Sequence, residues 1–212
     1  MELKQINLKD RIINLFGEID ESNCKETIEK IIDINIKDTE YINSALSILD
    51  GLGFKVDTNY IDLPPITINL STIGGDVLTG LGLCDSIRMS ETYVKCVCYG
   101  KVISMGIPIL LSAKYKVAHK NTTFMIHDLS SGYYGKVSGA EESLNEVKRL
   151  QKLMIDYICE NSKFPRKKLQ QIIDRKQDYW FTAEEALKYK IIDEIIDNVP
   201  KQTTKTEKQS ND

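Results

Sequence analysis

Short runs rich in β-branched residues alternate along the chain with stretches whose apolar residues recur at helical spacing. The runs predict strands over 11–17, 66–70, 94–99, 115–119 and 122–127. Repeated strand–helix–strand units of this length predict an α/β fold with a largely parallel sheet.

Helices are predicted from periodicity and from capping signals. The first begins at 20–22 and runs to about 34. Over 35–60 the pattern loosens, and a short helix at 45–49 is stopped by glycines. Further helices are predicted over 77–87, after Ser104, over 138–160 and 165–173, and after a Thr182–Glu185 capping box. One domain over 1–198 is expected, followed by a disordered polar tail at 199–212.

Composition narrows the class of protein. The chain has 212 residues and a net charge of −3 with intermixed signs, which argues against a nucleic-acid partner. The longest apolar run, 107–113, is far shorter than the ~18 residues of a membrane span. The first residues lack an apolar signal segment, so we expect a cytoplasmic protein with no membrane partner.

The cysteines are expected to be buried hydrophobic residues. There are five, an odd number, and Cys24, Cys84 and Cys159 fall in apolar-periodic helices. Cys96 and Cys98 form a Cys-x-Cys on a predicted strand. Zinc would need two further soft ligands, and the chain has only two histidines. We therefore expect no metal and no other cofactor bound by this chain.

Chemistry-bearing residues converge on the carboxyl ends of the predicted strands, where α/β folds gather functional groups. Gly74-Gly75, Ser104 and His127 all fall there. Ser104 lies at a strand-to-helix junction, beside free helix N–H groups that favour a developing anion. The same position is common for a helix-capping serine, which is the more frequent outcome for such a residue.

Four motifs give the chain a family resemblance. The chain resembles the proteolytic subunit of the Clp protease, ClpP, at these four motifs. They are Gly74-Gly75-Asp76, Gly100-x-x-x-Ser104-Met-Gly, Met125-Ile-His127, and Asp178 followed by Phe-Thr-Ala-Glu-Glu-Ala at 181–186. The resemblance covers roughly 8–197. It implies a ClpP/crotonase-like fold with a handle helix protruding at about 130–160.

The resemblance also implies a function and partners. The family hydrolyses unfolded polypeptides as a serine endopeptidase inside an oligomeric chamber. The expected homo-oligomer is a heptameric ring that can stack as a tetradecamer, fed by a Clp-type AAA+ unfoldase, which is the partner that uses ATP. The expected location is the cytoplasm of a bacterial cell, or of the bacterial host for a virus-encoded copy.

Residue by residue, Ser104 resembles the nucleophile, His127 the general base and Asp178 the carboxylate that orients it, with Asp174 as the rival carboxylate. The backbone N–H groups of Gly75 and Met105 match the oxyanion hole. Extended substrate is expected to pair with backbone at a further set of residues, namely Gly74, Asp76, Val77, Leu129, Ser130 and Ser131.

The sequence also departs from the family pattern. Gln-Pro after the histidine is Asp128-Leu129, and the arginine before the triad aspartate, which makes charge contacts across the ring interface, is Gln177. Only ten residues precede Arg11, and 35–60 is read as an insertion. Unfoldase docking and the choice of single or double ring are left open by these changes.

Three alternatives stay open on the sequence. The chain could be a non-catalytic ring subunit with a scaffold role. It could be a crotonase-type acyl-CoA enzyme, although that chemistry would not need Ser104 and His127 together. A protease could instead use a serine–lysine dyad with Lys101, which lies three residues before Ser104 on the loop.

Overall fold

The computed structural model describes residues 5–55, 61–130 and 137–197. Within those residues, seven strands form one sheet. The strands are β1 Ile12–Ile19, β2 Ile66–Gly75, β3 Val94–Ile103, β4 Tyr115–His119, β5 Thr123–Ile126, β6 Tyr179–Phe181 and β7 Glu194–Ile196. The helices are α1 Glu21–Gly51, α2 Val77–Met89, α3 Gly106–Ser112, α4 Val137–Glu160, α5 Arg166–Asp174 and α6 Ala183–Lys188, and a short 3₁₀ turn at Leu8–Arg11 precedes β1.

The sheet is parallel except at one edge, as the strand–helix alternation predicts. β1, β2, β3, β4 and β7 lie side by side in that order, and every pairing among them is parallel. β6 runs antiparallel to β5. The sequence reasoning missed β6 and β7 because a three-residue strand is too short to show alternation.

β3 changes its partner halfway along its length. Its first half pairs with β4 through Lys95–Cys98, and its last residues pair with β5 through Lys101–Ile103. Gly100 sits between the two halves with φ +59°, a left-handed conformation that glycine adopts at little cost. The prediction that the strand ends at Gly100 was therefore wrong, since the glycine bends β3 without ending it.

α1 is one continuous helix of 31 residues, so the predicted end near 34 and the separate helix at 45–49 were wrong. The apolar pattern breaks because a charged residue, Asp38, occupies the inner face and is only 4% exposed. Arg11 donates to both of its carboxylate oxygens at 2.6 and 2.8 Å, and the Thr92 hydroxyl donates to it as well. Burial of a charged residue is affordable only when it is paired in this way.

The core fills the space between the sheet and its helices. All seven residues of α3 are buried, and one connected cluster of buried side chains runs from Ile13 to Ile192. The capping box that opens α6 is present as predicted, with Thr182 and Glu185 exchanging side chain-to-backbone bonds. None of the helices in the described ranges is long and apolar enough to cross a bilayer. The 199–212 tail and part of the 35–60 segment lie outside the described residues.

Replacing Asp38 with alanine is expected to destabilise the protein by about 3–5 kcal/mol, because it leaves the Arg11 guanidinium buried without its partner. Urea unfolding followed by circular dichroism at fixed protein concentration measures the change. Asp33→Ala is the matched control, since Asp33 pairs with Lys37 on the exposed face of the same helix and such pairs contribute little. Equal losses in the two variants would contradict this account of α1.

Candidate active site

Ser104 lies on a strained turn between β3 and α3. Its φ is +54°, a left-handed conformation that is uncommon for residues other than glycine and is frequent at functional sites. The Ser104 N–H donates to the Met125 carbonyl at 2.9 Å, and its own carbonyl accepts from the Ile107 N–H at 3.0 Å. The turn is thus fixed from both sides, and a tight strand-to-helix turn of this kind holds a serine hydroxyl clear of the sheet.

Ser104 does not act as a helix cap. α3 begins at Gly106, its N-cap residue is Met105, and the cap makes no side-chain hydrogen bond. The alternative that sequence statistics favour for a lone serine at such a junction therefore does not describe this one.

Two adjacent glycines pack against different neighbours. A Cβ atom added at Gly74 would lie 2.6 Å from the Ser104 Cβ and 3.2 Å from the Met105 nitrogen, whereas one added at Gly75 would lie 2.2 Å from the Ile19 carbonyl oxygen. From the resemblance, Gly75 is the glycine expected at the reacting centre, through its N–H group. In the structure, Gly74 is the residue that passes Ser104, and Gly75 lets β2 pass β1.

His127 and Asp178 are brought together by the β5–β6 pairing. Ile126 lies opposite Tyr179 in this antiparallel ladder, so the next residues outward on the two strands, His127 and Asp178, face each other. Their Nδ1 and Oδ1 atoms are 3.8 Å apart, with the two side chains 27% and 60% exposed. This separation is longer than a hydrogen bond.

Ser104 and His127 line one pocket. Met105 and Leu129 also contribute to it, and the Ser104–Met125 hydrogen bond joins the two strand ends that carry the serine and the histidine. The rest of the wall is mostly apolar and comes from α2, α3, α4 and α5, through Val77, Pro108, Met154, Ile158, Leu169 and Ile173.

The rival residues lie elsewhere among the described residues. Asp174 ends α5 and accepts a hydrogen bond from Gln170 at 2.8 Å. His119 ends β4, where its ring packs on Tyr99 with 4.5 Å between centroids. Lys101 is an exposed residue within β3, opposite Thr123. None of these three side chains lines the pocket that holds Ser104.

Several backbone groups expected to pair with substrate are already engaged. Gly74 N–H donates to the Thr72 hydroxyl at 2.9 Å, Asp76 N–H to the Ile19 carbonyl at 2.8 Å, and Leu129 N–H to the Gln151 side chain at 2.7 Å. Ser130 is exposed, and Ser131 lies outside the described residues, as does the first part of the predicted handle at 131–136. Substrate pairing at these positions stays a prediction.

Asp76 has a structural role as the N-cap of α2. Its carboxylate accepts from the Thr79 N–H at 2.7 Å, and hydrogen bonds from the Thr79 hydroxyl and N–H lower the pKa of Asp76. A charged carboxylate at a helix N-terminus is also favoured by the helix dipole.

The cysteines offer no competing nucleophile. Burial raises the pKa of Cys96 to about 12 and the pKa values of Cys24 and Cys84 to about 11. These thiols stay protonated at neutral pH and are therefore poor nucleophiles. Across the described ranges, no group of three or more histidine, cysteine or acidic side chains is placed to hold a metal ion.

Two contributors to the site were missed by sequence reasoning. The apolar wall from α4 was visible only as helical periodicity, which is equally typical of ordinary core packing. Gln151 lines the pocket, but a single polar residue within an amphipathic helix gives no sequence signal.

Comparisons with known proteins agree with the geometry. The family model described as Clp protease matches residues 59–199. The ATP-dependent Clp protease proteolytic subunit of Deinococcus radiodurans is 33% identical over 134 residues, which are 62% of this chain and 65% of that protein. The chain thus spans slightly less than two thirds of that relative.

Two further relatives are matched over more of their length. The proteolytic subunit of Borreliella afzelii is 29% identical over 192 residues, covering 89% of this chain and 84% of the relative. Proteolytic subunit 1 of Borreliella burgdorferi is 28% identical over 192 residues, covering 89% and 86%.

Gly74→Ala is expected to slow the reaction of Ser104 with a fluorophosphonate by about 100-fold, because the added methyl group displaces the Ser104 turn. Labelling rates read by intact-protein mass spectrometry provide the measurement. Gly82→Ala is the control, since a Cβ atom at this α2 position meets no other atom within 4 Å. A Gly74→Ala protein that is labelled as fast as wild type would show that the close approach does not matter.

Proposed function

The chain belongs to the Clp protease family, and from that premise we propose that it is a serine endopeptidase with Ser104, His127 and Asp178 as its catalytic triad. The observation that carries the proposal is the strained Ser104 turn in one pocket with His127. The Asp178 Oδ1 atom is 3.8 Å from the Nδ1 atom of the same imidazole. These positions support the assignment of Ser104 as nucleophile, His127 as base and Asp178 as the orienting carboxylate that acyl transfer needs.

The proposed reaction proceeds through an acyl-enzyme. His127 takes the proton of the Ser104 hydroxyl as its oxygen attacks the scissile carbonyl carbon, and the peptide C–N bond breaks as His127 returns that proton to the leaving amine. Water then attacks the ester by the same route. Asp178 holds the imidazole in the right tautomer and stabilises its protonated form, which requires the 3.8 Å gap to close by about 1 Å to hydrogen-bond length.

We propose that the N–H groups of Met105 and Gly75 bind the oxyanion of the intermediate, since the Gly75 N–H belongs to the peptide unit that joins it to Gly74, the residue next to Ser104. Met105 directly follows the nucleophile at the N-cap of α3, where helical N–H groups lack intrahelical partners. Donors preorganised toward a developing charge supply a large part of the rate enhancement in acyl transfer.

The pocket beside Ser104 supports a preference for apolar side chains next to the scissile bond. Its wall from Met154, Ile158 and Leu169 offers hydrophobic contact and no charged partner. We propose that extended, unfolded polypeptides are the substrates, as in the family to which the chain belongs.

The assembly follows from the same premise. We propose a cytoplasmic homo-oligomeric ring of seven subunits, single or stacked in pairs, with a Clp-type AAA+ unfoldase as the partner that uses the ATP. Exposed apolar side chains on the described helices, including Ile32, Ile36, Met89 and Leu144, support association, because a lone subunit would leave them in water.

A non-catalytic ring subunit is the second candidate, and one observation favours it. The Asp178 side chain is 60% exposed and beyond hydrogen-bond distance from His127, whereas triad carboxylates are ordinarily buried and bonded. The two candidates differ in whether Ser104 reacts.

Hydrolysis of a peptide coumarin amide with an apolar residue before the scissile bond tests the proposal. Ser104→Ala and His127→Ala are expected to lower kcat by at least about 1,000-fold and Asp178→Asn by about the same or more, because each removes one member of a unit. Native mass spectrometry of the same samples reports the assembly.

Asp174→Asn and Lys101→Ala serve as matched controls and should keep wild-type rates, because Asp174 bonds to Gln170 instead of His127 and Lys101 is an exposed residue within β3. Full activity in Ser104→Ala would overturn the triad. Retained activity in His127→Ala together with loss in Lys101→Ala would favour a serine–lysine dyad. A correctly assembled wild type that is inert to substrate and fluorophosphonate would favour the scaffold role.

A further inference from the structure

Gln151 stands out in the pocket that holds Ser104. Thirteen described residues line it, and only Ser104, His127 and Gln151 carry polar side chains. Gln151 lies on α4, half-buried, one turn before Met154 and Ile155 on the same wall. A polar side chain on an otherwise apolar wall has to make a hydrogen bond or it destabilises the fold.

Gln151 forms a hydrogen bond with the backbone just after the predicted base, His127. Its Oε1 atom accepts from the Leu129 N–H at 2.7 Å. Leu129 is two residues beyond His127, in the segment that follows β5 and has no regular secondary structure. Such a segment has no backbone hydrogen bonds to a neighbouring strand that would fix its position. A side chain that binds the backbone of the segment can therefore determine where the segment lies.

Gln151 is itself held on a fixed support. The same helix is joined to α3 by the hydrogen bond between Tyr157 and Ser112, whose oxygens are 2.6 Å apart, and the Ser112 hydroxyl donates to the Pro108 carbonyl at 2.9 Å. α3 follows immediately after Ser104 and Met105. One helix is therefore anchored at one point to the serine side of the site and at another to the histidine side.

We propose that Gln151 is a positioning residue for catalysis: its hydrogen bond to Leu129 holds the segment after β5 on α4 and so sets the His127 imidazole relative to Ser104. The inference rests on the proposed peptidase function and adds to it a residue that acts through His127 without touching the reacting atoms. When a catalytic base is displaced from hydrogen-bond distance of the group whose proton it accepts, proton transfer slows more than substrate binding weakens.

Gln151→Leu keeps the size of the side chain and removes the acceptor. It is expected to lower kcat for the coumarin peptide by about 10- to 100-fold with KM little changed. Gln151→Glu keeps an acceptor oxygen at the same reach and should recover most of kcat.

The glutamate variant carries a second readout, which reports whether the side chain at position 151 lies close enough to His127 to act on it. His127 already has Asp178 beside it and Asp128 next to it in the chain, and the new carboxylate adds to these in the same pocket. Because it favours the imidazolium form, the acidic limb of kcat/KM should move to higher pH. Gln171→Leu, on the exposed surface of α5, is the matched control and should behave as wild type.

Leu129→Pro removes the donor of the same hydrogen bond, so if Gln151→Leu folds poorly, Leu129→Pro alone should show kcat lowered by about 10- to 100-fold for the same reason. If the hydrogen bond carries the effect, Gln151→Leu should cost little further kcat in the Leu129→Pro background. Fully additive losses, or a Gln151→Leu protein with wild-type kcat, would overturn the inference while leaving the peptidase intact. A wild type that hydrolyses no peptide would overturn the proposed function, and this inference with it.

Discussion

The backbone hydrogen bond from the Ser104 N–H to the Met125 carbonyl is the contact on which the site depends. It is 2.9 Å long and joins the end of β3 to β5 just before His127. A non-glycine residue at φ +54° is strained by about 1–3 kcal/mol, so the turn persists only because its neighbours hold it. Met125, the Ile107 N–H and the bare backbone of Gly74 supply that support.

The change of partner along β3 explains why His127, and not His119, reaches the site. If β3 had stayed with β4 along its whole length, the neighbouring strand end would have carried His119. Beyond the bend at Gly100, β3 no longer pairs with β4 and pairs with β5 instead. β5 then pairs with β6, whose register sets Asp178 opposite His127. The pairing of β3 with β5 and of β5 with β6 thus brings Ser104, His127 and Asp178 to the same edge of the sheet.

The sequence was sufficient for the fold class and for the positions of Ser104 and His127 directly after strands, which the structure shows at the ends of β3 and β5. β-branched runs and helical periodicity are long-range signals, and the rule that functional groups gather at carboxyl ends of parallel strands singled out Ser104 and His127. The length of α1 was missed because a buried ion pair at Asp38 interrupts the apolar pattern. The hydrogen bond of Gln151 was missed because it depends on tertiary position alone.

The roles of the two glycines show a finer limit. Adjacent glycines predict a close backbone approach, but only coordinates reveal that Gly74 faces Ser104 while Gly75 faces Ile19. The sequence motif therefore identifies the pair of glycines, but it does not predict which neighbour each glycine contacts. The contacts themselves follow from register and from the bend in β3.

The most direct test of the triad geometry is the structure of the protein after reaction with a peptide chloromethyl ketone. This reagent needs a serine to attack its carbonyl and a histidine to displace its chloride, so it links the two only when they share one site. The account predicts a single adduct bonded to both the Ser104 oxygen and the His127 ring. An adduct on His119, on a cysteine or on His127 alone would contradict it.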